Sequence, residues 1–155
     1  MNVEQFASLL APVLRHIDGK PLDAMLDNDL NRTFPADQET FRNIAAACRE
    51  AVAAGWMCNR EGGGIKYGRV IKPGGATGGF SVDVVDLKDL AGPHHRHPQG
   101  EIDMIMPLEG DARFDGRGAG WLVYPANSAH APTVTSGRAY ILYLLPGGEI
   151  DFGKT

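Results

Sequence analysis

Glycine is spread so unevenly along this chain that two kinds of structure are required. Residues 1–60 hold two, Gly19 and Gly55, whereas residues 61–155 hold eighteen. Glycine weakens helix interiors and supplies the positive φ that tight turns need. The front therefore reads as helical and the remainder as strands joined by turns. Phe6, Leu9, Leu10, Val13 and Ile17 recur at helical spacing. Pro12 interrupts that stripe and predicts a kink or break near residues 8–11. Pro21 is placed to open a second helix with Leu22, Met25, Leu26 and Leu30 inward, stopped at Phe34-Pro35. Asp37 is placed to cap a third, with Phe41, Ile44, Ala45, Cys48 and Val52 as its stripe and Gly55 as its end. The stripes read as packing faces.

Beyond Trp56 the period shortens. Strands are expected over 67–72, 80–87, 101–107, 111–115, 119–124, 130–135 and 138–145, with turn signals at Gly110-Asp111 and Asp115-Gly116-Arg117-Gly118. In the last strand Tyr140, Leu142 and Leu144 face one way and Ile141, Tyr143 and Leu145 the other. Both faces are apolar, so that strand should be covered on both sides. Many short strands with glycine turns indicate an antiparallel sandwich or barrel. The organisation expected is a helical segment over 1–56 packed on a β unit over 57–155.

The β unit carries the chemistry. His95 and His97 are two apart, so on a strand their side chains share a face. Glu101 follows the Pro98-Gln99-Gly100 turn, and Asp103 shares a strand face with it. His130 comes later, in Pro125-Ala126-Asn127-Ser128-Ala129-His130. Three imidazoles and a carboxylate are a ligand set for a divalent transition metal. His94 alternates away from the pair, and His16 ends a helix; both read as surface residues. Glu101 has a second reading, as a partner that orients an imidazole. Asp103 is a candidate general base, or a carboxylate that is simply hydrated.

Composition narrows the function further. Net charge is -4, and both halves are slightly acidic, so no basic stripe offers itself to nucleic acid. No apolar run is long enough to span a bilayer, and Met1-Asn2-Val3-Glu4-Gln5 lacks the basic start of a signal peptide. Two cysteines, Cys48 and Cys58, make no disulfide framework. A cytoplasmic protein is expected. Glu61-Gly62-Gly63-Gly64 is not a phosphate loop, since no Gly-Lys-Ser/Thr follows.

The pattern His-x-His-x-x-x-Glu followed by Pro-x-x-x-x-His resembles the paired motifs of the cupin superfamily, small double-stranded β-helix (jelly-roll) barrels that commonly hold iron, manganese, zinc or another divalent metal. Two positions depart from it: Asp89 where the first motif has glycine, and Asn127 where the second has glycine. A closer resemblance is to the 4-hydroxylaminobenzoate lyase family. It is carried by Gly55–Gly64, Phe80–Val85, Gly92-Pro93-His94-His95-Arg96-His97-Pro98, Gly100–Pro107, Phe114–Tyr124 and Leu144-Leu145-Pro146-Gly147-Gly148. That resemblance implies conversion of 4-hydroxylaminobenzoate to 3,4-dihydroxybenzoate (protocatechuate) and ammonia, as in bacterial nitroaromatic degradation. It implies a small aromatic substrate, and the cupin fold implies a homodimer or larger assembly.

Such a reaction needs a better leaving group at the N–OH oxygen, a water activated near the ring, and a hold on the substrate carboxylate. Glu101 and Asp103 are the candidate catalytic carboxylates. Arg60 and Arg69 are candidates for the carboxylate, because arginine binds that group bidentately. Arg96 lies between the two histidines and should point away. Tyr124, with Tyr67, Trp121 and Tyr140, can supply aromatic walls. Two other classes fit the same ligand pattern: a metal-dependent dioxygenase or isomerase acting on a small aromatic or sugar acid, and a non-catalytic small-molecule sensor.

Overall fold

The computed structural model describes residues 1–153. Helices α1 (Val3–Ile17), α2 (Ala24–Thr33) and α3 (Glu39–Ala54) come first. The strands are β1 (Arg60–Gly62), β2 (Ile65–Ile71), β3 (Phe80–Ala91), β4 (His95–His97), β5 (Glu101–Phe114), β6 (Gly120–Tyr124), β7 (Ser128–His130) and β8 (Thr133–Pro146).

The helices start and stop where side chains satisfy their free ends. Asn2 and Gln5 form a capping box on α1, and Gly55 closes α3 in the left-handed region. Four details differ from the sequence reading, one being Met25, expected inward and 79% exposed. Helix α1 runs unbroken through Pro12, and Ser8, whose carbonyl loses a donor there, sits on the exposed side where water can replace it. Helix α2 begins after Asp23, whose carboxylate accepts from Leu26 N, not at Pro21. Gln38, not Asp37, caps α3.

Strands β1-β2-β3-β8-β5-β6 form one antiparallel sheet in that order, and β4 pairs with β7. The segments expected at 101–107 and 111–115 are one strand, β5. Gly110 makes an irregularity in its pairing with β8, not a turn. The strand expected at 130–135 is split, His130 ending β7 and residues 133–135 running on with 138–145 as β8.

Strand alternation divides the protein into two layers. Ile102, Met104 and Met106 of β5, with Tyr140, Leu142 and Leu144 of β8, pack with Phe6, Leu10, Leu30 and Ile44 of the helices. Ile105 of β5 and Ile141, Tyr143 and Leu145 of β8 belong to a second cluster on the opposite face, with Leu87, Phe114 and Val134. Strand β8 is thus covered on both faces, as its double apolar pattern requires. Polar bonds tie the layers together: Asn31 of α2 exchanges two hydrogen bonds with the Trp121 backbone, and the indole donates to Phe34 O at 2.9 Å. Asp27 accepts from Arg117 at 2.7 Å and from Val123 N at 2.8 Å. Among the described residues, no helix is long and apolar enough to cross a membrane.

Candidate metal centre and the cavity beside it

The same alternation that sends Ile102 and Met104 toward the helices sends Glu101 and Asp103 to the inner face. Both are fully buried. The β4–β7 pair sets His95 opposite His130 and His97 opposite Ser128. The structure therefore brings together His95, His97, Glu101 and His130, with one donor atom from each lying within 4.8 Å of the others. Metal bonds of about 2.0–2.2 Å place donor atoms around one ion about 3–4 Å apart. Here Glu101 lies 3.4 Å from His95 Nε2, 3.2 Å from His97 Nε2 and 3.3 Å from His130 Nε2.

The outward faces of the three rings explain why the inward faces converge. His95 Nδ1 faces the Pro93 carbonyl at 3.3 Å, and a carbonyl only accepts. Ser128 Oγ donates to Pro125 O at 2.6 Å, leaving its lone pairs to His97 Nδ1 at 2.9 Å. Asp115 accepts from His130 Nδ1 at 2.5 Å. Each acceptor holds the Nδ1 proton and turns an Nε2 lone pair inward. His97 Nε2 and both Glu101 oxygens are buried without a hydrogen-bond partner. Converging lone pairs beside a carboxylate leave room for a cation and no other obvious partner, so the set fits a divalent transition ion.

Without a metal, protons take the place of that cation. Burial works against a charged His130, yet its bond to Asp115 and the adjacent Glu101 carboxylate outweigh it and raise the imidazole to about 9. Burial likewise opposes ionisation of Glu101, but the three imidazoles hold it well below the usual carboxylate range. Asp103 goes the other way: burial first, then the charge of Glu101, pushes it well above that range. In the metal-free chain this environment favours the protonated form of Asp103. Both of its oxygens lack a hydrogen-bond partner.

Beside the cluster lies a cavity of about 880 Å³, bounded by β2, β3, β8 and the segment after β8. Of the four clustered residues, His95 alone lines it. Its lining is largely apolar, with Ile65, Val85, Leu87, Tyr143 and Leu145. Phe152 stands at its mouth, 46% exposed, with its ring centroid 5.6 Å from that of His95 in an edge-on arrangement. The segment carrying Phe152 is fixed by paired backbone bonds between Asp151 and Arg96. Arg96 points away from the cluster and binds Asn127 and Asp151.

The other candidate residues fall on different sides of this geometry. Arg60 and Arg69 both line the cavity. Arg69 is committed, donating to Asp83 at 2.8 Å and to Gly148 O at 3.1 Å. Arg60 makes no ion pair among the described residues. Tyr124 lies against the cluster, its ring 4.6 Å from that of His130, but it does not line the cavity, and its hydroxyl is given to Asp115 at 2.6 Å. His94 is exposed and lines the cavity. Asp115 and Ser128 set two of the three imidazoles; in the sequence the first reads only as a turn residue and the second only as a spacer before His130. Cys48 and Cys58 are buried thiols that burial pushes up to about 12, which suits packing, not chemistry.

Both departures from the cupin motifs are accommodated by the backbone. Asp89 has φ 43° and Asn127 has φ 65°, the left-handed conformation that glycine adopts most easily and that Asp and Asn tolerate.

Fold and site together define a cupin-type barrel with a three-histidine, one-glutamate centre. A family model described as 4-hydroxylaminobenzoate lyase (PnbB) matches residues 8–152, and the chain belongs to that family. It is 29% identical to a 4-hydroxylaminobenzoate lyase of Pseudomonas putida, across 96% of this chain and 94% of that one. It is also 29% identical to a 4-hydroxylaminobenzoate lyase of Nocardioides sp. (strain LMS-CY), across 93% and 90%. Among solved structures, the DMSP lyase DddQ of Ruegeria pomeroyi superposes with a TM-score of 0.49 and 22% identity, covering 70% of this chain and 68% of that one.

Proposed function

We propose that this protein is a lyase converting 4-hydroxylaminobenzoate and one water to 3,4-dihydroxybenzoate and ammonia, in the cytoplasm of a bacterium that degrades nitroaromatic acids. The observation that carries this reading is the family match over 8–152, because that span holds both the histidine cluster and the cavity. The atoms balance without an external oxidant: the N–O bond is the internal one, and its cleavage leaves a ring to which water adds.

His95, His97, Glu101 and His130 would hold a divalent ion, which when bound supplies Lewis acidity toward an oxygen of the substrate or of water. The remaining work falls to the chain. The apolar lining takes the aromatic ring and excludes bulk water from it. Since the cluster meets the cavity at His95, the hydroxylamino end of the substrate points there and the carboxylate points toward the mouth. Arg60, the uncommitted guanidinium, holds that carboxylate. Arg69 shapes the wall by fixing Asp83 and the Gly148 carbonyl. Asp103, buried and neutral beside Glu101, keeps a second negative charge out of the centre.

Arg60→Ala is expected to raise KM roughly ten- to a hundredfold, the range of a charge-assisted hydrogen-bonded contact, with metal content unchanged. Steady-state kinetics with parallel metal analysis checks this; an unchanged KM would move the carboxylate elsewhere.

The activity itself is tested by incubating the purified protein anaerobically with 4-hydroxylaminobenzoate, with and without a strong chelator, and following protocatechuate and ammonia. Product formed without oxygen, lost after chelation and regained on adding back a divalent metal, is the expected result. Absence of product from metal-loaded protein would overturn the reading, and product that appears only with oxygen would favour a dioxygenase.

A further inference from the structure

Tyr143 is the one polar group of the inner cluster that the proposed chemistry leaves unused. It sits on β8 directly opposite Asp103 of β5 and Asp83 of β3, so carboxylates flank it on both sides. Its side chain is 5% exposed and lines the cavity. A buried tyrosine hydroxyl ordinarily finds a partner in the protein. Asp83 instead takes hydrogen bonds from Arg69 and Ser81, and Asp103 has no partner at all. The Tyr143 hydroxyl makes no hydrogen bond to a described residue, yet it is not among the fully enclosed polar atoms that lack one. With acceptors on either side left unused, the remaining direction for this donor is the cavity itself.

We propose that Tyr143 donates a hydrogen bond to the hydroxyl oxygen on the substrate nitrogen, orienting it at the His95 end of the cavity. The inference rests on the lyase reading for the identity of that oxygen, but its geometry requires only an aromatic acid whose para substituent carries a hydroxyl on its first atom. Burial and the nearby Glu101 carboxylate favour the protonated phenol, so the group is present as a donor. A donor aimed at the departing oxygen stabilises charge that builds there as the N–O bond lengthens, and this belongs to the transition state more than to the ground state.

The test uses metal-loaded wild type and Tyr143→Phe, a substitution that keeps the ring and the core volume. Two unreactive probes are titrated by equilibrium binding: 4-(hydroxymethyl)benzoate, whose hydroxyl occupies the place of the N–OH oxygen, and 4-methylbenzoate, which lacks it. Any contact of that oxygen with the metal is common to both proteins, so the informative quantity is the change in preference between them. A fall in preference for 4-(hydroxymethyl)benzoate of roughly three- to tenfold in Tyr143→Phe, with 4-methylbenzoate affinity unchanged, is expected for one hydrogen bond. An unchanged preference overturns the proposal. With 4-hydroxylaminobenzoate, kcat should fall about tenfold or more at nearly constant KM and constant metal content. Wild-type turnover with an unaffected variant overturns the role of Tyr143 while leaving the lyase reading in place. A lost probe preference with no wild-type turnover does the reverse.

Discussion

Alanine in place of His130 is expected to remove bound metal and turnover together. His130 reaches the centre from β7, where pairing with β4 sets it against His95, their Nε2 atoms 3.1 Å apart. It supplies one of the three converging nitrogens, and its Nε2 lies 3.3 Å from Glu101. A four-ligand site that binds its ion with about 10–16 kcal/mol owes roughly 3 kcal/mol to each ligand, so losing one costs about a hundredfold in affinity or more. The loss extends beyond coordination. Asp115 and Glu101 would both forfeit the group that offsets their burial, which adds a stability cost from two uncompensated carboxylates. Metal analysis after dialysis, with turnover measured on the same samples, decides the matter. Stoichiometric metal held at wild-type affinity by His130→Ala would remove His130 from the ligand set.

The residues just named show what could be read in the sequence and what could not. His95 and His97, with their two-residue spacing, announce a shared face on any strand, and Glu101 and Asp103 do the same. The double apolar pattern over 140–145 announces a strand covered on both sides, which β8 is. These signals are periodic, and periodicity survives without knowledge of the fold. The rest depended on contacts remote in sequence. Gly110 looked like a turn and is a pairing irregularity, because Gly137 on β8 comes so close that a Cβ there would run into the Glu109 carbonyl. Asp115 looked like a turn residue and is one, with φ 49°, but the turn carries its carboxylate to His130 and Tyr124 as well. Pro12 looked like a break, yet the donor it removes belongs to an exposed turn of α1. Arg60 and Arg69 were equivalent in sequence, and only the Asp83 and Gly148 contacts of Arg69 separate them.

Asp115→Asn is expected to weaken metal binding by about ten- to a hundredfold without unfolding the protein, the usual effect of altering the partner of a ligating histidine. Asparagine keeps the left-handed backbone that this position requires. It cannot keep the bonding. One carboxylate oxygen accepts from both His130 Nδ1 and the Tyr124 hydroxyl, while the other accepts from Thr133 N at 3.0 Å. An amide has one acceptor oxygen, so its NH2 must face either His130 and Tyr124 or the Thr133 amide, donor against donor. His130 then loses the charge that fixes its tautomer and makes it a stronger ligand. The same change has a signature in the metal-free protein. The raised His130 pKa, about 9 against an ordinary value near 6.5, is a stabilising contribution that is complete below the lower value and lost as pH rises through the higher one. Metal-free wild type should therefore lose stability between about pH 6.5 and 9, and Asp115→Asn should lose less over that window because its His130 starts closer to the ordinary value. Bound metal takes the place of the His130 proton, so the loaded protein should not show this decline. Chemical denaturation across that pH range, with NMR titration of His130, reads both effects. A variant with wild-type metal affinity and an unshifted His130 would mean that Asp115 closes the turn and does nothing for the centre.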